Sequence, residues 1–178
     1  MKNLKQVLIV LAACAAFAGS ASPKPETVLL LNESYFEAAH REIESAKESI
    51  HLIMYRYLYY KRKSLSYPNR LFADLEAAHK RGVPVRVILD APKLKYMPKA
   101  GPENREVYQR LKDAGIDVKY DSTGTTTHAK VLVVDGRTVI LGSHNYTDSG
   151  LKYNNEASLL LRDPKIAGEL ISYFGEIR

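Results

Sequence analysis

The stretch HAKVLVVDGRTVILGSHN, residues 128–145, decides how this chain is read. Two apolar runs, residues 131–134 and 138–141, read as buried β-strands separated by the turn Asp135-Gly136-Arg137. A hairpin returns its distant ends to one place. His128 and Lys130 enter the first strand while Ser143 and Asn145 leave the second, so all four are expected to converge at one edge of a sheet. Residues two apart on a strand share a face, which pairs His128 with Lys130 and Ser143 with Asn145. An imidazole nucleophile beside a cation and two small hydrogen-bonding side chains suits attack on a phosphate.

Each residue also has a plainer reading. A lone histidine at a strand start is usually structural or merely exposed; Lys130 at this spacing is what changes that. Ser143 and Asn145 fit strand-end turn residues equally well. Gly142 lets the backbone pass closely there, and His144, pointing the other way, reads as structural. Asp135 lies one strand-length from His128, roughly 20 Å at ~3.3 Å per residue. A turn-capping or scaffold role is therefore expected for it, away from substrate.

The spacing His128-x-Lys130, four residues, Asp135, six residues, Gly142-Ser143-x-Asn145 resembles the signature of the phospholipase D superfamily. Asn154-Asn155-Glu156 matches the Asn-x-Glu that the family often adds about ten residues later. The single copy and the small size look most like the small secreted bacterial endonucleases of that superfamily. The resemblance implies a layered α/β sandwich, a phosphohistidine formed on His128, and a catalytic set of His128, Lys130, Ser143, Asn145 and Glu156, with Asp135 in the signature. In the family the matching glutamate accepts a hydrogen bond from the catalytic histidine, a role carried over here to Glu156. A second histidine protonates the leaving group in two-motif relatives. With one motif, this chain is expected to form a symmetric homodimer.

The chain has 178 residues, enough for one domain with a sizeable core. Lys2 and Lys5, the apolar run 7–18 and the small residues Gly19-Ser20-Ala21 follow the order of a secretory signal peptide. Residues 1–21 are thus expected to be removed, leaving residues 22–178 as a single catalytic domain, periplasmic or secreted. The competing reading takes Leu11-Ala12-Ala13-Cys14 as a lipobox, with a membrane anchor on Cys14. Cys14 is the sole cysteine, so cleavage near Ala21 excludes both a disulfide and a thiol nucleophile. The formal charge is +6, and loss of Lys2 and Lys5 lowers it to +4. Twelve Lys or Arg against four Asp or Glu fall between Tyr55 and Arg105, a surface that attracts polyanions.

Outward from the hairpin, hydrophobic periodicity predicts strands over 27–31, 49–57, 85–89, 116–120 and 156–161. Helices are predicted over 34–49, 69–81, 102–114 and 164–176. The alternation gives an α/β domain with a mixed, mostly parallel sheet flanked by helices. The run Tyr55 to Lys63 interleaves aromatics and cations, so Tyr59, Lys61, Arg62 and Lys63 are candidates for contacting bases and phosphates; half-buried tyrosine packing followed by a solvated loop is the other reading. No cluster with metal-ligand spacing is apparent, and no cofactor is implied. The reading is an exported, metal-independent phosphodiesterase, an endonuclease acting on DNA or RNA. A phospholipase D or phosphatidyltransferase, or a non-catalytic binding protein on the same fold, are the alternatives.

Overall fold

The computed structural model describes residues 26–91 and 103–178. The expected leader, Cys14, Pro102, and Lys93, Lys95 and Lys99 of the basic stretch lie outside the described residues. One sheet holds seven strands: β1 (Glu26–Leu31), β2 (Ile50–Met54), β3 (Val85–Leu89), β4 (Asp117–Tyr120), β5 (Lys130–Val134), β6 (Thr138–Gly142) and β7 (Ala157–Arg162). They lie side by side in the order β1-β7-β6-β5-β2-β3-β4. Four helices accompany them: α1 (Ser34–Ser45), α2 (Tyr67–Lys80), α3 (Glu103–Asp113) and α4 (Pro164–Glu176).

The sheet is mixed, as expected, but not mostly parallel. Only β2–β3 and β3–β4 pair in parallel. The pairs β2–β5, β5–β6, β6–β7 and β1–β7 are antiparallel. The cause is chain length between strands. Parallel return needs a crossover of a dozen or more residues, whereas β5 and β6 are joined by residues 135–137 alone, a turn that permits only antiparallel pairing.

The period of two sorts side chains into two cores. Leu52, Met54, Leu132, Val134 and Ile140 join Phe36, Leu71, Leu75, Val107 and Leu111 from α1, α2 and α3. Ile53, Val131, Val133 and Val139 face the other way, onto Ala167, Leu170 and Phe174 of α4. Strands β2 and β5 are buried on both faces, which is why the run 131–134 is apolar without interruption. Helix α4 packs chiefly over β2, β5 and β6. Beyond it, Leu29 and Leu31 of β1 and Leu159 of β7 are 59%, 52% and 37% exposed, a stripe that no described residue covers.

Helix α1 stops at Ser45, four residues short of its expected end. The carboxylate of Asp135 accepts hydrogen bonds from the backbone N–H groups of Lys47, Glu48 and Ser49 at 2.7–3.1 Å, turning the chain toward β2. Helix α2 begins early, at Tyr67, because Pro68 lacks an N–H only where the first turn needs none.

Candidate functional site

The motif residues gather at the ends of the central strands, where the parallel strands β2 and β3 finish, rather than along a sheet edge. This is the position in which open α/β sheets place their ligands. The loop before β5 ends in His128. Its approach is fixed by two carboxylates: the N–H of Thr127 donates to Asp90 at 2.8 Å and to buried Asp121 at 3.0 Å. Asp121 also accepts from the N–H of Ala91 at 2.6 Å, tying that loop to the end of β3.

Lys130 is 5% exposed, whereas His128 is open to solvent. The Lys130 ammonium lies 3.2 Å from Nδ1 of His128 and donates to the His128 carbonyl at 2.6 Å. Tyr55, which continues β2, packs against both partners. Its ring centroid is 4.3 Å from that of His128 and 4.8 Å from Nζ of Lys130. Burial and the charge of Lys130 lower the pKa of the His128 imidazole, favouring its neutral, nucleophilic form. Burial also lowers the pKa of Lys130, against the raising pull of the charges of Glu156 and Asp90.

The second half of the site follows β6. Gly142 sits where a Cβ would come within 2.5 Å of the Ala157 carbonyl and Cα of Ser158, so only glycine lets β6 approach β7 this closely. The Ser143 hydroxyl donates to the Glu156 carboxylate and accepts from the N–H of Ala157 at 3.1 Å. Asn154 donates to the other oxygen of Glu156 at 2.9 Å. Within this chain Glu156 is therefore engaged by Ser143 and Asn154, not by the His128 ring, as the carried-over role would have it. The side chains i and i+2 do diverge from the one between them: His144 is buried and stacks on Tyr35 at 4.4 Å. Its Nε2 donates to the carbonyl of Asn32 at 3.1 Å, while Nδ1 faces the Ser158 hydroxyl at 2.7 Å. Asn145 keeps Oδ1 buried with no hydrogen-bond partner. A single π-helical turn, Ser149–Tyr153, packs behind it; at Gly150 a Cβ would stand 2.5 Å from the Asn145 carbonyl. Such turns recur at functional sites.

Asp135 stands apart from this group, on the turn at the other end of β5, where it holds residues 47–49 as described. That is the scaffold role expected for it, and it argues against a catalytic one. Of the basic, Tyr-rich run, Tyr59 is half-buried, its ring in edge contact with Phe72 and covered on one face by the Arg110 guanidinium at 3.8 Å. Lys61 pairs with Glu106 at 3.1 Å and Lys63 with Asp148 at 2.9 Å, while Arg62 is exposed. Packing also assembles a group that spacing did not show. His40, Glu44 and Asp74 bring one ligand atom each within 4.8 Å of one another, the only such group among the described residues. It belongs to α1 and α2, not to the motif, and the ring of His40 bridges the two carboxylates.

Four residues of this site were not legible as such. Tyr55 was readable only once β2 was known to pair with β5, placing Met54 opposite Lys130. Asp90 and Asp121 act through a loop from other strands. Asn32 accepts from the N–H of Glu156 at 3.0 Å, 124 residues further along the chain.

Comparison with known proteins agrees with this geometry. Residues 40–178 match the family described as cardiolipin synthase, PLD-like domain. A phospholipase D from Rickettsia prowazekii (strain Madrid E) is 36% identical over 127 residues, 71% of this chain and 54% of that protein. A mitochondrial cardiolipin hydrolase from Chlamydomonas reinhardtii is 31% identical over 99 residues, covering 56% of this chain and 41% of that one. The chain thus spans about half the length of these curated relatives. Among solved structures, the phospholipase D family member Nuc from Salmonella typhimurium superposes with a TM-score of 0.71 at 25% identity, over 86% of this chain and 94% of that one.

Proposed function

The chain belongs to the phospholipase D-like family of phosphodiesterase-type enzymes, and from that premise we propose that it is an exported endonuclease working through a phosphohistidine. One observation carries the chemistry: a solvent-open imidazole, pKa lowered, held 3.2 Å from a buried lysine at the ends of the central strands.

A neutral ring nitrogen of His128 attacks the phosphorus of a phosphodiester. The N–P bond forms as the bond to the leaving oxygen breaks, and that oxygen takes a proton from the imidazolium of a second His128. Lys130 offsets the charge that builds on the non-bridging oxygens, the electrostatic contribution that is usually largest. In this reading Ser143 turns its hydroxyl from Glu156 and, with the Asn145 amide, holds the same oxygens. Water then attacks the phosphohistidine, giving up its proton to the second imidazole, and the N–P bond breaks to restore His128. The second histidine comes from a second copy, since each chain brings one motif; the uncovered stripe of Leu29, Leu31 and Leu159 supports such an assembly.

Nucleic acid as substrate is supported by the basic charge of the chain and by a likeness that spans 94% of Nuc. A lipid substrate is the second reading, favoured by the names of the sequence relatives. Purified protein in excess chelator should nick plasmid DNA or cleave RNA, and His128→Asn should not. Release of headgroup from phosphatidylcholine or cardiolipin with DNA and RNA left intact would replace the nuclease reading by the lipid one. Activity lost in chelator and restored by a divalent ion would overturn the metal-independent mechanism.

A further inference from the structure

A series of rings and cations runs from buried Phe36 to the surface near Glu156. The Arg70 guanidinium lies 4.6 Å from the ring centroid of Phe36, which is fully buried. Phe36 stacks on Tyr67 at 4.0 Å with planes 7° apart. The Lys152 ammonium stands 5.8 Å from the Tyr67 ring and 5.7 Å from that of Tyr153. There the series ends in the open: Tyr153 is 69% exposed. Its middle ring is braced, because Tyr67 donates to Glu33 at 3.0 Å. Tyr153 closes the π-helical turn three residues before Glu156, so it stands within ~10 Å of the Glu156 Cα.

We propose that Tyr153 is the base-stacking platform of a single-stranded nucleic-acid subsite adjoining the catalytic end, with Lys152 meeting the neighbouring phosphate; this rests on the nuclease reading. The argument is one of continuity. A base is flat and has a π face, so it extends the series by one ring, and stacking of this kind tolerates any sequence. The cation beneath the ring adds attraction for a polyanion. Tyr59, the aromatic that sequence pointed to, is half-buried with Arg110 on its ring, whereas Tyr153 is largely exposed. Leu65, 83% exposed on the loop before α2, is an apolar side chain suited to a lipid surface and not to stacking, so its substitution separates the two kinds of partner.

The test uses full-length protein carrying His128→Asn, which binds without turnover, and a labelled oligothymidine followed by fluorescence anisotropy. Adding Tyr153→Ala should weaken binding roughly 5- to 100-fold, while Tyr153→Phe, which keeps the ring, should stay within about two-fold. Against an abasic strand of equal length the parent and Tyr153→Ala proteins should bind alike. Unchanged binding of oligothymidine by Tyr153→Ala, or an equal loss on the abasic strand, overturns the stacking role. So does a result in which Tyr153→Ala and Leu65→Ala lose binding to phosphatidylglycerol vesicles while strand binding is unaltered. Turnover separates the two layers. Wild-type protein that cleaves neither DNA nor RNA removes the nuclease reading and the subsite with it; cleavage of single strands with the same KM in Tyr153→Ala removes the subsite alone.

Discussion

Lys130 acts on His128 through charge as well as through contact. Its ammonium reaches the ring at 3.2 Å and the backbone carbonyl at 2.6 Å, so the two side chains are one unit. Burial, then this charge, depresses the imidazole pKa. The sign follows directly: the nucleophilic neutral form persists below the ordinary histidine range and is lost only as pH falls through the lowered value. Replacing Lys130 by Met should move the His128 titration, followed by NMR, back up toward the ordinary range. Turnover should drop by about 10²–10³, as when one transition-state donor is removed. A midpoint that stays put would mean that burial alone sets it. Gly142 makes a steric claim of equal sharpness. Gly142→Ala drives a methyl against the Ala157 carbonyl and the Ser158 backbone, and should cost about 1–3 kcal/mol in urea unfolding, the range for overpacking.

Between elements, Asp135 is the joint. It adopts a left-handed conformation, φ 52°, and its carboxylate takes the N–H groups that follow α1. Burial pushes its pKa up, but those three backbone donors and Arg137 outweigh it and hold the carboxyl below its ordinary value. A depressed carboxylate contributes stability above the ordinary Asp range and loses it as pH falls through the folded value. Asp135→Ala should therefore cost about 1–2 kcal/mol at neutral pH, the scale of a lost cap, and the gap from wild type should close in acid. Equal gaps at both pH values would show that the charge is not involved. The hairpin and the order of elements were legible because period-two runs such as 131–134 and turn residues such as Asp135-Gly136 act locally. The pairing direction of β5 with β2 was not, since it depends on where a loop crosses the sheet. Neither was the fate of Tyr59, whose ring is claimed by Arg110 from a helix some fifty residues away, nor the engagement of Glu156 by Ser143, where two hydrogen-bonding neighbours on adjacent strands meet at shorter range than the imidazole.

At the scale of the whole molecule, the proposed mechanism needs a two-fold partner, and the stripe over β1 and β7 that no described residue covers offers an apolar surface for one. Leu29 faces Leu159 in register, so the stripe is continuous across two strands. Burying such a surface against its own copy makes an isologous contact. A heterodimer of one wild-type and one His128→Asn chain should be nearly inactive, because the proposed mechanism uses both histidines. Leu29→Glu should shift the protein to monomer and lower activity in parallel, read by light scattering and turnover on the same samples. A fully active monomer would remove the need for a partner. The sheet has a further consequence, for the order in which the chain is made. Strand β1 is the first described element synthesised, yet it pairs only with β7, Glu26 opposite Arg162. Asn32, just after it, waits for Glu156. Contacts so distant in sequence form late and slowly. His128 and Lys130 therefore leave the ribosome before the strand that braces Glu156, and a growing chain carries its nucleophile without the frame that supports it. A product broken off before residue 157 lacks β7 altogether, leaving β1 and β6 unpaired on that side, exposed and open to degradation rather than active.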